Sequence, residues 1–262
     1  MPIYFKTAIN IEGISATDLF AINSILGGAI EQKTVEALNG MREIWDPRGK
    51  LSEYQFNRYP ESFPDVRLEK NGGGAPLIGV ELKGWFMLSK EEVPSFRFRA
   101  SSSAMTVWDL IAVFPWSLSN VLTGKPELKP PFVEQAKYAA DLRTYYWEHR
   151  SANSGKVVHP DTHPYPEPRS SFLDSVSDDR GGNFGRIARI KGLMEGWVEK
   201  TMETQLAGIE ARWWVRFLKM FSERSAEGQI LKQFEQLSAE LGKDPHWAHD
   251  KLELIRQIFD GK

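Results

Sequence analysis

Three residues in the stretch ESFPDVRLEKNGGGAPLIGVELKGWFML, residues 61–88, have the side-chain types that phosphodiester chemistry needs: Asp65, Glu81 and Lys83. Two carboxylates together bind a hard divalent cation such as Mg2+, which takes oxygen ligands at roughly 2.0–2.1 Å and keeps several waters. Such an ion polarises a phosphoryl oxygen and lowers the pKa of a bound water. A lysine ammonium beside it holds that water or stabilises charge building on phosphorus. The backbone carbonyl of Leu82, between the Glu and the Lys, is a natural further metal ligand. The competing reading is a solvated hairpin face with a surface ion pair, worth roughly 0–1 kcal/mol.

The letters alone carry little information. Pro-Asp recurs at Pro160-Asp161, and Glu-x-Lys recurs at Glu31-Gln32-Lys33 and Glu127-Leu128-Lys129. Position separates them. Residues 63–68 and 76–88 read as strands joined through the turn-forming KNGGGAP. In the second strand Glu81 and Lys83 project from one face, and Val80 and Leu82 from the other. The hairpin brings Asp65 near Glu81. Glu31 falls on a helical pattern over 15–45, one long helix or two short ones, with Gly27-Gly28 as its weak point. Glu127 sits in GKPELKPPF, whose prolines argue against a paired strand interior.

Asp65, Glu81 and Lys83 in this setting resemble the PD-(D/E)XK nuclease superfamily, whose core sets the three residues at the end of a twisted hairpin. The resemblance covers roughly residues 15–150 and implies that Asp65 and Glu81 are metal ligands and Lys83 the catalytic lysine. The family often adds a glutamate from the preceding helix, sometimes as Gly-x-x-x-Glu. GGAIE supplies Gly27-x-x-x-Glu31, so Glu31 is the candidate fourth acid, with Glu36, Glu43 and Glu53 as competitors. Type II restriction endonucleases are the best size match. The resemblance implies a cytoplasmic, prokaryotic, Mg2+-dependent homodimer that cuts double-stranded DNA at a specific site. The products would carry 5′-phosphate and 3′-hydroxyl, and a cognate DNA methyltransferase would protect host sites. A junction or repair endonuclease and a non-catalytic DNA-binding protein are the alternatives.

Composition permits this. The chain has 262 residues, 41% of them hydrophobic, with 15 Phe and 9 Trp to anchor a core. A net charge of −2 leaves nucleic-acid binding to local basic patches. The absence of Cys rules out disulfides and Cys-ligated metals and fits a reducing compartment. Neither a signal peptide nor a membrane span is evident.

The expected fold is α/β (α+β): a restriction-endonuclease-like mixed sheet flanked by helices, with a helical C-terminal half. The nuclease core would span 1–150. Residues 151–262 would form a loop and helical region, packed on the core and serving recognition or dimerisation. A third strand is expected at 95–100, a buried strand at 109–116 and a helix at 132–150. Helices follow over roughly 185–203, 205–223, 226–241 and 245–259. Residues 151–184 read as one long loop.

Arg97 and Arg99 face one way on the expected third strand and are candidate phosphate contacts. Arg180, Asn183, Arg186 and Arg189 are candidates for base reading, since Arg matches guanine and Asn matches adenine in the major groove. His159, His163, His246 and His249 read as surface or packing histidines. Trp213, Trp214, Phe217 and Phe221 have helical spacing and read as a core or dimer face.

Overall fold

The computed structural model describes residues 9–11, 22–149, 184–220, 227–240, 242–244, 246–250 and 253. The chain divides into two compact units, residues 1–211 and 212–262. The first is built on a mixed six-stranded sheet with helices, an α+β arrangement.

Helix α1 (Ile22–Gly40) and a short helix α2 (Arg42–Trp45) precede strands β1 (Tyr54–Arg58), β2 (Val66–Lys70) and β3 (Ile78–Phe86). These strands form an antiparallel meander. Strand β4 (Leu110–Asn120) runs parallel to β3 on its other side. Strands β5 (Thr123–Leu128) and β6 (Phe132–Gln135) both pair antiparallel with β4, at its C-terminal and N-terminal ends respectively. The expected strand at 109–116 is thus the central β4. Its near-continuous burial on both faces explains its unbroken apolar run.

Register assigns the faces. Arg58, Val66 and Val80 pair across the first three strands, as do Phe56, Leu68 and Ile78. Partners share a face, so Leu82 continues this one, while Glu81 and Lys83 lie on the opposite face. Helix α1 meets this face where Arg58 reaches Glu31 at 2.7 Å, and its Asn39 fastens it to the outer edge of β1. The Asn39 side-chain amide both donates to the Phe56 carbonyl and accepts from the Phe56 amide, each at 2.9 Å. Gly27 and Gly28 do not interrupt α1; the helix ends at Gly40. A Cβ on Gly28 would lie 3.2 Å from the Arg58 guanidinium, so this glycine makes room for that arginine.

Several expectations need correction. Residues 95–100 form no sheet strand. Strand β3 pairs with β2 only at its start and with β4 along its length, and the 95–100 segment finds partners elsewhere. The Phe98 amide donates to the Gly185 carbonyl at 2.7 Å. The buried Arg143 guanidinium donates to the carbonyls of Phe98 and Ala100 at 2.7 and 3.0 Å. The inside–outside alternation survives, with Phe98 and Ala100 buried and Arg97 and Arg99 exposed.

The prolines around Glu127 also fail to exclude a strand. Pro126 lies inside β5, which pairs with β4 along one edge and meets Ile11 through a single bridge at Gly124 on the other, so the missing N–H is tolerated at an edge. The helix expected from 132 begins at Ala136 as α3 (Ala136–His149), because residues 132–135 complete the sheet as β6.

In the C-terminal half, residues 187–189 form a single 3-10 turn, and α4 spans Glu195–Met202. A small hairpin, β7 (Gln205–Leu206) and β8 (Ile209–Glu210), interrupts the expected helices. Its turn residues Ala207 and Gly208 have φ of 50° and 78°, the two positive values that a type I′ turn needs. Helices α5 (Ala211–Met220) and α6 (Glu227–Glu240) follow. Asp244 caps the next helical turn as expected, its carboxylate accepting from the His246 amide at 2.7 Å. Among the described residues, no helix is long and apolar enough to cross a membrane.

Candidate active site

The site lies where β2 begins and β3 runs on. Strand β2 pairs with β3 only through Val66–Val80, Arg67–Gly79 and Leu68–Ile78. Beyond Val80 the β2-side edge of β3 has lost its partner, and Asp65 stands at that fork. Its Oδ2 accepts a hydrogen bond from the Leu82 amide at 2.7 Å, replacing the missing strand contact. In a strand, a residue's N–H and C=O leave by the same edge. The Leu82 carbonyl therefore also faces the fork.

Pro64 seats this aspartate. An ideal Cβ on Gly79 would stand 2.3 Å from the Pro64 Cγ, so the proline ring rests directly on bare backbone of β3. The same Gly79 donates its amide to the buried Asp109 carboxylate at 2.6 Å, and the Thr106 amide donates to the other oxygen at 2.7 Å. Sequence reasoning missed Gly79 and Asp109. The signal for Gly79 was available, since a glycine inside a strand marks a close backbone approach.

Glu81 is buried, only 8% exposed, and its Oε1 sits 2.5 Å from the Lys83 Nζ. Burial pushes the Glu81 carboxyl up to about 7, against the pull of Lys83 and with the added push of Asp65. The Asp65 carboxyl is also raised, by burial first; the Leu82 amide and Lys83 oppose this, and the charge of Glu31 adds to it. A buried carboxyl and a half-buried one beside one ammonium are short of positive charge. A divalent cation is the species that would relieve it.

Glu31 projects from α1 toward this end of the sheet and influences Asp65, but its carboxylate is held by Arg58 at 2.7 Å. Among the described residues, no three carboxylate or imidazole groups converge on one point. An ion at the fork would rest on Asp65, Glu81, the Leu82 carbonyl and water. That set of hard oxygen donors suits Mg2+, which retains water readily.

The predicted residues thus divide. Asp65, Glu81, Leu82 and Lys83 come together. Arg97 and Arg99 are exposed on the 94–101 segment. Arg186 and Arg189 both engage Glu91, at 3.0 and 3.6 Å. Arg180 and Asn183 lie outside the described residues, as do His159 and His163.

No family model, curated protein or solved structure matches the chain.

Proposed function

We propose that the protein is a Mg2+-dependent endonuclease of the PD-(D/E)XK type that cuts double-stranded DNA at a specific short site, as a type II restriction enzyme does. The sheet would be a restriction-endonuclease-like core. The observation that carries this reading is the fork itself. Asp65 is locked to the Leu82 amide at 2.7 Å, next to a buried Glu81 joined to Lys83 at 2.5 Å.

The chain's own groups have defined tasks. Asp65 and Glu81 supply the carboxyl oxygens and Leu82 the backbone oxygen. Mg2+ bound among them would polarise the scissile phosphate and activate water. With a cation on the Glu81 carboxylate, the Lys83 ammonium would be released from that partner and would serve the attacking water or the phosphate. Burial of Glu81 keeps bulk water away and strengthens each of these interactions. The exposed Arg97 and Arg99 suit contacts to the DNA backbone. In-line displacement would leave 5′-phosphate and 3′-hydroxyl. A homodimer would bring two such sites to two strands, and a partner methyltransferase would shield host DNA.

The test is purified protein, plasmid DNA and Mg2+. Discrete fragments support the reading, and plasmid left intact across many sequences and divalent metals overturns it. Preference for a synthetic four-way junction over plain duplex would instead indicate a structure-specific nuclease.

A further inference from the structure

One side chain, Arg67, makes several bonds across the turn that carries Asp65. Residues 59–65 leave β1 and return to β2, and the Tyr59 amide donates to the Asp65 carbonyl at 2.7 Å to close the base. Arg67, two residues after Asp65, folds back over this turn. Its Nη2 donates to the Ser62 Oγ at 2.9 Å and to the Phe63 carbonyl at 3.0 Å. Its Nε reaches the Pro64 carbonyl at 3.4 Å. The guanidinium also lies 4.1 Å from the centre of the Tyr59 ring. Tyr59 is fixed from below, its hydroxyl donating to Glu69 Oε1 at 2.5 Å, and Asn57 donates to the same oxygen at 2.8 Å.

Three oxygens in consecutive residues thus point at one planar cation. The fork of donors on an arginine meets such an arrangement where a lysine, a point charge, cannot. Directly across the sheet from Arg67 is Gly79, on which Pro64 rests. The Asp65 carboxylate is therefore placed from both sides. Pro64 sets its height above β3, and Arg67 sets the path of the chain leading into it.

We infer that Arg67 is a positioning residue for the site, holding the 59–65 turn so that the Asp65 carboxylate meets the Leu82 amide and faces Glu81. Its catalytic consequence rests on the nuclease reading; its structural consequence does not. Two measurements separate them.

The first is amide hydrogen exchange by NMR on wild type and Arg67→Ala, in metal-free buffer. The Leu82 amide should exchange at least about tenfold faster in the variant, because its acceptor is displaced. Amides paired between β3 and β4 should keep their protection. An unchanged Leu82 amide overturns the inference, as does an equal loss across the whole sheet, which would mark Arg67 as a general stability residue.

The second is calorimetric titration with Mn2+ and Mg2+. Arg67→Ala should weaken binding about tenfold or more, with Arg67→Lys recovering little of it. Should wild type bind neither ion and cut no DNA, the nuclease reading fails while the exchange data still decide the role of Arg67. Should wild type bind and Arg67→Ala bind equally well, the positioning role fails while the nuclease reading stands.

Discussion

Glu81-Leu82-Lys83 in β3 and Glu127-Leu128-Lys129 at the end of β5 are the same tripeptide in one sheet. Both join the glutamate to the lysine, at 2.5 Å and 3.0 Å. The lysine side chains are almost equally exposed, 22% and 19%, whereas the glutamate side chains differ, 11% against 50%. Strand β3 lies between β2 and β4, while β5 has β4 as its one strand neighbour among the described residues and only a single bridge, from Gly124 to Ile11, on its other edge. The inner copy also faces Asp65, whose carboxyl interacts with that of Glu81. The outer copy is a surface ion pair on an edge strand. Letters, strand conformation and the Glu–Lys contact are common to both, so none of these makes a site. Burial of the carboxyl and a second acid at the fork are what set the inner copy apart.

The sharpest way to break this comparison is to remove each lysine in turn. Lys83→Ala should lower plasmid cleavage by about a thousandfold, the scale of losing one preorganised charge at a developing anion. DNA binding in a gel shift should persist. Lys129→Ala should cut at close to the wild-type rate. Equal activity of the two variants would remove the distinction drawn between the copies.

A second test uses the raised pKa of Glu81. In the unfolded chain its carboxyl ionises near 4.5, while in the fold it does so at about 7. Between these values the folded state holds a proton that the unfolded state has lost. Stability therefore falls as pH rises through that window and stays low above it, by on the order of 3 kcal/mol. Asp65 shifts in the same direction and adds to the fall. Urea denaturation of metal-free protein at pH 5 and pH 8 should reveal the loss. Glu81→Gln should flatten it. Mg2+ should stabilise the wild type mainly at the higher pH, because it binds the ionised carboxylates. A metal-free stability that rises from pH 5 to pH 8 would contradict burial of Glu81 as the cause of its raised pKa.

Next in size are changes at the fork. Asp65→Ala leaves the Leu82 amide without its acceptor, at a cost of about 1–3 kcal/mol. Gly79→Ala drives a methyl into Pro64 and should cost about 1–3 kcal/mol through overpacking, displacing Asp65 with it. Both should raise the Mg2+ concentration needed for cleavage. Retention of wild-type metal dependence in both variants would show that the fork is not the metal site.

Much of this region was legible before any coordinates. The alternation around Glu81, the apolar run of β4 and the turn at 70–75 all express local chemistry. What stayed hidden was nonlocal. The 95–100 segment has a strand's alternation, yet its backbone bonds go to Gly185 and the Arg143 guanidinium, far away in sequence. Pro126 argues against a strand unless the strand is known to be an edge. Gly28 looks like a helix flaw until Arg58 is found filling the space beside it. Arg67 lies on the same strand as Val66, and nothing in its letters says that it bends back over residues 62–64. Alternation does put Arg67 on the face of Asp65, and that signal could have found it.

The smallest expected effect closes the comparison. Glu127→Gln removes one partner of the outer pair, whose carboxylate is half exposed and solvated whether paired or not. Exposed pairs of this kind contribute roughly 0–1 kcal/mol, because water and salt already screen them. The substitution should shift the urea midpoint by no more than about 0.5 kcal/mol in stability and leave cleavage intact. Raising the salt concentration should shrink even that difference, since the pair sits in solvent. The inner pair should be far less sensitive to salt. If Glu127→Gln destabilised the protein by several kcal/mol, burial would no longer account for the contrast, and the edge strand would have to be holding the sheet in a way that its pairing with β4 does not explain.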